Sequence, residues 1–138
     1  MKRVAFQGVA GAFGEEAARA YLGDVETVAC AQFIDLINAV DVGTADVGML
    51  PVENSEAGTV SGNYALLGES SLHVVGEIEV RVRHCLLALP GETLHSLREV
   101  HSHPQALMQC DRFLSQHGYL QIALSNTAAS AKRLAENK

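Results

Sequence analysis

Hydrophobic and polar positions alternate between two spacings along the first third of the chain. Residues 3–7 form a short β-prone run that stops at a glycine, and apolar side chains then recur at helical spacing over 13–21. The succession repeats as a predicted strand at 26–30 and a predicted helix at 33–40. A nearly continuous apolar run at 46–52 is typical of a strand buried on both faces of a parallel sheet. The pattern therefore predicts β-α-β-α-β order and an α/β fold.

The remainder of the chain continues the mixture of helices and strands. A short helix is predicted at 58–69, and residues 72–82 alternate apolar with charged side chains as one long strand would. The other predicted elements are strands at 85–89, 99–101 and 120–124, a helix that begins at Pro104, and a last helix at 128–136 capped by Ser125-Asn126-Thr127.

Charge changes sign where the long strand is predicted. Residues 1–80 hold 3 basic and 12 acidic residues, a net charge of −9, whereas residues 81–138 hold 7 basic and 4 acidic residues, a net charge of +3. A long strand that crosses such a boundary predicts two lobes, residues 1–80 and 81–138. The overall charge of −6 argues against nucleic acid or an acidic membrane as a partner, while the basic second lobe can attract an anion.

Composition limits the class of protein further. With 138 residues, 48% of them hydrophobic, the chain can bury a core without disulfides or a structural metal. Its three cysteines, Cys30, Cys85 and Cys110, form no C-x-x-C pair, which favours reduced thiols in a cytoplasmic protein. No apolar stretch approaches the ~20 residues that a bilayer requires, so we expect neither an export signal nor a membrane partner.

Three polar segments follow predicted strands, the position at which open α/β sheets hold ligands. The first, Gly8 to Gly14, has G-x-x-G-x-x-G spacing, which is neither the dinucleotide fingerprint nor a P-loop. Two interpretations stay open for it. Its backbone N–H groups receive an anion at a helix N-terminus, or its glycines only allow the chain to turn.

The second and third polar segments carry side chains that can bind a ligand. In Pro51 to Ser55, Asn54 offers both a donor and an acceptor beside Glu53, and the alternative is a polar turn with a local cap. In Ser102 to Gln105, Ser102 is either a simple helix N-cap or a functional group. Gln109 lies one turn beyond Gln105 on the same helical face.

Histidine and arginine residues near these segments suggest weaker alternatives. His101 and His103 could share a metal, but no third ligand has convincing spacing, and we expect no metal. Arg81, Arg83 and His84 form either a solvated edge or an electrostatic funnel for a carboxylate.

Together these motifs carry a resemblance that covers essentially the whole chain. The segments are Gly8-x-x-Gly11-Ala12-Phe13 with Glu15, Pro51-Val52-Glu53-Asn54-Ser55 with Gly58, Val75-Gly76-Glu77 leading to His84-Cys85-Leu86-Leu87, and Ser102-His103-Pro104-Gln105-Ala106-Leu107 with Gln109-Cys110. In this order and spacing they resemble the prephenate dehydratase family, whose pattern the arogenate dehydratases share.

The resemblance implies a two-lobed α/β fold like that of the type 2 periplasmic binding proteins. Each lobe is then a mostly parallel sheet flanked by helices, with the substrate between the lobes. It implies conversion of prephenate to phenylpyruvate with loss of carbon dioxide and water, in phenylalanine biosynthesis, without a metal or an organic cofactor. It also implies assembly into a homo-oligomer.

The family motifs further imply which residues form the site. The polar catalytic residues fall on Asn54, Ser102 and Gln109. The substrate-binding residues implied are Gly11, Ala12, Phe13, Glu53, Ser55, His103, Gln105, Ser125, Asn126 and Thr127.

The sequence also departs from the family pattern. The family often has Thr or Ser at the positions of Ala12 and Gly14, so we do not expect hydroxyl contacts from those positions here, although the backbone N–H groups of the loop remain. The Thr-Arg-Phe motif, credited with the acid hydroxyl, belongs downstream and does not occur in these residues, nor does the phenylalanine-sensing ACT domain. We therefore expect an incomplete second lobe and little dehydratase activity from the 138-residue chain alone. The alternative is a cofactor-free module that binds or senses a small carboxylate on the same fold.

Overall fold

A computed structural model describes residues 1–55 and 58–136, and these divide into two compact units, Met1–Val82 and Arg83–Lys138. The first unit contains β1 (Lys2–Gln7), α1 (Phe13–Leu22), β2 (Val25–Cys30), α2 (Phe33–Asp41), β3 (Val47–Met49), β4 (Glu53–Asn54), β5 (Gly58–Thr59) and α3 (Ser61–Glu69). The second contains β6 (Glu99–Ser102), α4 (Pro104–Gln116), β7 (Leu120–Ala123) and α5 (Thr127–Glu136).

The predicted β-α-β-α-β order of the first unit is confirmed. Its parallel sheet has the strand order β2-β1-β3, and the central position of β1 explains why Val4, Ala5 and Phe6 are at most 1% exposed. Successive residues of a strand point to opposite faces. Val4 accordingly packs with Ala18 of α1. On the other face, Ala5 packs with Leu36 of α2.

The bounds of two elements predicted for the first unit need correction. The strand predicted at 46–52 spans only Val47–Met49, and its residues are half-buried or exposed because β3 pairs only with β1 in the described sheet. The helix predicted from residue 58 begins at Ser61, because Gly58–Thr59 pairs with β4. The apolar run at 46–52 is therefore longer than strand β3, and the helix is shorter at its start than its predicted bounds.

The long strand predicted at 72–82 and the strand predicted at 85–89 are both wrong. Neither segment forms a hydrogen-bonded ladder within the described residues, and Val75 is 81% exposed while Leu87 is 57% exposed. Alternating apolar residues favour an extended backbone, but a strand also needs a neighbouring strand to pair with.

The second unit is built on the parallel pair of β6 and β7, with Glu99 opposite Leu120. Its core comprises Leu107, Leu114 and Tyr119, and the Tyr119 hydroxyl donates to the Leu94 carbonyl at 2.6 Å. No helix in residues 1–55 and 58–136 is both long enough and apolar enough to cross a membrane.

Candidate functional site

The carboxyl ends of the parallel strands of unit 1 lie at one edge of its sheet. We call this edge, with the predicted site residues that follow its strands, the first polar edge. Helices α1 and α2 cover opposite faces of this sheet, and β2 and β3 lie on opposite sides of β1. The direction in which the chain adds strands therefore reverses between β1 and β3. Ligands of open α/β sheets bind at such a switch point. The segment after β1 contains Gly11, Ala12 and Phe13, and the segment after β3 contains Glu53, Asn54 and Ser55. The structure therefore places these two predicted groups after neighbouring parallel strands.

Backbone N–H groups of the glycine segment make hydrogen bonds within the chain. Gly8 N donates to the Cys30 carbonyl at 2.9 Å, and Ala12 N donates to the Val9 carbonyl at 3.0 Å. Gly11 has a φ of 87°, a conformation that favours glycine, and its N–H donates to Glu15 Oε2 at 2.8 Å. The hypothesis that this segment receives an anion on its backbone is wrong for these three N–H groups, because each already has an acceptor.

Glu15 fixes this segment through a small network. Its Oε1 accepts hydrogen bonds from Arg19 Nη2 and from Thr27 Oγ1, both at 2.9 Å. The Gly11 N–H, followed by the Arg19 and Thr27 donors, lowers the pKa of the Glu15 carboxyl from its ordinary value. The carboxylate thus ties α1 to β2 and to the glycine segment.

The segment after β3 is held by Asn63 of α3. The Asn63 side chain is 2% exposed, and its Nδ2 donates to the Pro51 carbonyl at 2.7 Å. Val60 N also donates to the Val52 carbonyl at 2.9 Å. Both contacts restrain the chain immediately before Glu53 and Asn54.

Asn54 lies in a short antiparallel hairpin rather than in an open turn. It forms β4 with Glu53 and is opposite Gly58. Asn54 is half-buried, whereas Glu53 and Ser55 are exposed. The alternative interpretation, a polar turn, therefore does not fit Asn54, which pairs as part of β4, but it does fit Ser55, which lies in a turn.

A second polar edge lies at the carboxyl ends of β6 and β7 in unit 2. Leu124 N donates to the Ser102 carbonyl at 2.8 Å, which joins the two segments that follow these parallel strands. The structure thereby brings together the predicted residues of one edge: Ser102, His103, Gln105, Ser125, Asn126 and Thr127.

Two residues of this edge cap helices. The N-cap of α4 is His103, whose Nδ1 accepts from Gln105 N at 3.2 Å, so the interpretation of Ser102 as the cap is wrong. Ser102 instead ends β6. Asn126 Oδ1 accepts from Ala129 N at 3.1 Å, which supports the predicted cap of the last helix. Pro104 occupies the predicted first position of α4.

Gln109 is half-buried on α4, and its Oε1 lies 2.7 Å from His84 Nε2. The sequence analysis placed His84 in a cationic cluster and in a family motif, but it missed this contact with Gln109. It also missed Asn63, although an asparagine between apolar positions of a predicted helix was a usable signal.

The histidines of the H-x-H motif have different partners. His101 Nε2 is 3.0 Å from Glu99 Oε2 at an exposed position, while His103 caps α4. Within the described residues, no three His, Cys, Asp or Glu side chains are arranged to hold a metal ion.

Comparison with known proteins identifies the family. The family model described as prephenate dehydratase matches residues 4–138. Arogenate dehydratase/prephenate dehydratase 2, chloroplastic, of Arabidopsis thaliana is 45% identical over 133 residues, which are 96% of this chain and 35% of that protein. Arogenate dehydratase 2 of Petunia hybrida is 44% identical, over 96% of this chain and 34% of that protein.

Solved structures give the same fold. A structure described as GqqA, a novel type of quorum quenching acylase, matches with a TM-score of 0.87 and 39% identity, over 98% of this chain and 50% of that chain. Prephenate dehydratase from Arthrobacter aurescens in complex with L-Phe matches with a TM-score of 0.79 and 28% identity, over 99% of this chain and 46% of that chain.

These matches cover nearly all of this chain but only part of each relative. The chain spans about a third of the length of the two curated plant relatives and about half of the two solved chains. The expected fold, two-lobed and like that of the periplasmic binding proteins, is the fold of the prephenate dehydratases that it matches. The chain belongs to the prephenate dehydratase family.

Proposed function

We propose that the protein carrying this chain removes carbon dioxide and water from prephenate or from arogenate, as an enzyme of aromatic amino-acid biosynthesis. The observation that carries the proposal is the family match over residues 4–138. The position of the motif residues supports it: Asn54 comes after the parallel strand β3, Ser102 ends the parallel strand β6, and Gln109 lies on α4, which begins just after β6.

The chemistry suits neutral polar groups. As the ring carboxylate leaves as carbon dioxide, its bonding electrons enter the ring and expel the ring hydroxyl, which needs a proton to leave as water. A cation bound tightly to the departing carboxylate would stabilise the ground state and slow this step. Asn54, Ser102 and Gln109 can instead orient the dianion and donate hydrogen bonds to its oxygens.

The proton for the leaving oxygen is proposed to come from outside these residues. The family credits a downstream Thr-Arg-Phe motif with this acid, and the tripeptide does not occur in the chain. We therefore expect the 138 residues alone to have little activity.

A direct assay tests the proposal. The natural full-length protein is incubated with prephenate and with arogenate separately, and carbon dioxide and the aromatic product are measured. We expect turnover of at least one substrate, unchanged by a metal chelator. Ser102→Ala and Gln109→Leu should each lower kcat/KM by about a hundredfold, whereas Ser115→Ala, at an exposed site on α4, should not.

Two outcomes would contradict parts of the proposal. Full activity in both site variants would refute the roles of Ser102 and Gln109 while leaving the activity intact. Failure to convert either substrate would refute the activity. Binding of prephenate or arogenate without turnover would then favour the alternative of a carboxylate-binding or sensing module. Because one structural relative is described as a quorum quenching acylase, acylase activity is measured in parallel.

The cellular setting and the assembly are part of the proposal. Cys30, Cys85 and Cys110 form no disulfide with one another, and we propose a reducing compartment such as the cytoplasm. We propose a homo-oligomer, which light scattering of the purified protein would test through its molar mass.

A further inference from the structure

His84 makes a side-chain contact that the family motifs do not assign. It lies just before the segment 85–89 and is half-buried. Its Nε2 lies 2.7 Å from Oε1 of Gln109, twenty-five residues further along the chain. This separation is within the range of a good N–H···O hydrogen bond. A histidine ring can donate from Nε2 both as the neutral Nε2–H tautomer and as the protonated ring.

The contact has a direct consequence for the Gln109 amide. A carboxamide presents an acceptor oxygen at one end and a donor nitrogen at the other. If His84 Nε2–H holds Oε1, then Nε2 of Gln109 must point the other way. Rotation of the amide by half a turn would place two donors against each other and break the hydrogen bond. His84 can therefore select one of the two orientations of this side chain.

That orientation matters if Gln109 binds an anion. Prephenate presents carboxylate and hydroxyl oxygens, which require hydrogen-bond donors. An amide already turned with its nitrogen toward the ligand avoids the entropic cost of ordering it when the ligand binds or reacts. The same contact distinguishes His84 from Arg81 and Arg83, with which sequence reasoning had grouped it as a charged cluster.

We infer that His84 is a positioning residue, which holds Oε1 of Gln109 so that the amide nitrogen donates to an oxygen of the substrate. This inference rests on the proposed dehydratase function. It gives His84 a role through hydrogen bonding rather than through its charge.

Kinetics of the natural full-length protein test the inference. His84→Leu removes the donor, and we expect kcat to fall about tenfold, the effect of one neutral hydrogen bond, with a smaller change in KM. His84→Gln keeps a donor near the Nε2 position and should restore most of the activity. His95→Leu, the same replacement at an exposed turn, is the matched control and should leave kcat unchanged.

Either of two kinetic results would overturn the inference. One is wild-type kcat and KM in His84→Leu. The other is an equal loss of kcat in His84→Leu and His84→Gln, because a donor would then not be the property that matters. A double variant, His84→Leu with Gln109→Leu, should be no slower than Gln109→Leu alone.

A spectroscopic measurement separates this inference from the proposed function. In protein labelled with ¹⁵N at glutamine side chains, the Gln109 amide signal is assigned by its absence in Gln109→Leu. We expect this signal to shift in His84→Leu and to stay near its wild-type position in His84→Gln. An unchanged signal in His84→Leu overturns the inference, even if the wild-type enzyme turns over prephenate. If neither substrate is turned over, the proposed function fails and this measurement alone decides whether His84 orients Gln109.

Discussion

Replacing Asn63 by alanine tests whether one buried side chain holds the segment that carries Asn54. The Asn63 side chain is 2% exposed and donates to the Pro51 carbonyl at 2.7 Å. Removing a donor from a buried pair costs about 1–3 kcal/mol. Alanine is a better helix former than asparagine and offsets at most about 0.7 kcal/mol of this loss. We therefore expect Asn63→Ala to lower the free energy of unfolding by about 0.3–3 kcal/mol.

Urea unfolding followed by circular dichroism measures this loss, and two further variants sharpen it. Asn38→Ala makes the same replacement at an exposed position of α2 and reports the gain in helix propensity without the buried contact. Asn63→Asp places a carboxylate oxygen against the Pro51 carbonyl oxygen and should be less stable than Asn63→Ala. Equal unfolding midpoints for Asn63→Ala and Asn38→Ala would refute the reasoning.

Amide exchange shows whether the lost stability is felt at the site. Val60 N donates to the Val52 carbonyl beside the β4–β5 hairpin. If Asn63 anchors this segment, the Val60 amide should exchange faster in Asn63→Ala than in Asn38→Ala. Unchanged exchange at Val60 would mean that the hairpin is held without Asn63.

Three further substitutions test other parts of the fold. A Cβ at Gly48 would lie 2.6 Å from Leu36 Cδ2, so Gly48→Ala should lower the free energy of unfolding by about 1–3 kcal/mol. Gly62→Ala is its control in urea unfolding, because a Cβ added at Gly62 would meet no neighbouring atom within 4 Å. Because the pKa of Glu15 is lowered on folding, its contribution to stability is present above about pH 4.5 and is lost as the pH falls toward the folded pKa. Glu15→Gln should flatten that acid-induced loss in urea unfolding, and an unchanged pH profile would contradict it. Asn126→Ala removes the cap of α5 and should cost about 1 kcal/mol in thermal unfolding, and an unchanged melting temperature would exclude the cap.

The elements that sequence patterns predicted correctly are those whose sequence signals are local. Helix α1 has apolar residues on one face and acidic residues, Glu15 and Glu16, in its first turn. Helix α4 has Pro104 at its first position. Strand β1 is a short β-prone segment with an apolar centre, and it ends just before Gly8. Each signal lies within one element, so the sequence alone is sufficient to find it.

The predictions that failed depend on what lies beside a segment. Residues 72–82 alternate as a strand does, but alternation does not supply a partner for the backbone. The apolar run at 46–52 suggested a fully buried strand, whereas β3 pairs with β1 alone among the described strands. His103 rather than Ser102 caps α4, because the strand β6 extends to Ser102.

The contacts that hold the two polar edges also differ in whether they join residues close together or far apart in the sequence. Glu15 reaches Gly11 from one helical turn away, so a capping rule could have found it. Asn63 reaches Pro51 across twelve residues, and His84 reaches Gln109 across twenty-five, and neither spacing is a sequence signal. Both long-range contacts fix groups at or beside proposed catalytic residues before any ligand is present. Such preorganisation lowers the entropic cost of binding and of reaching the transition state. Substitutions at Asn63 and His84 should therefore impair the proposed reaction, although neither side chain needs to touch the substrate.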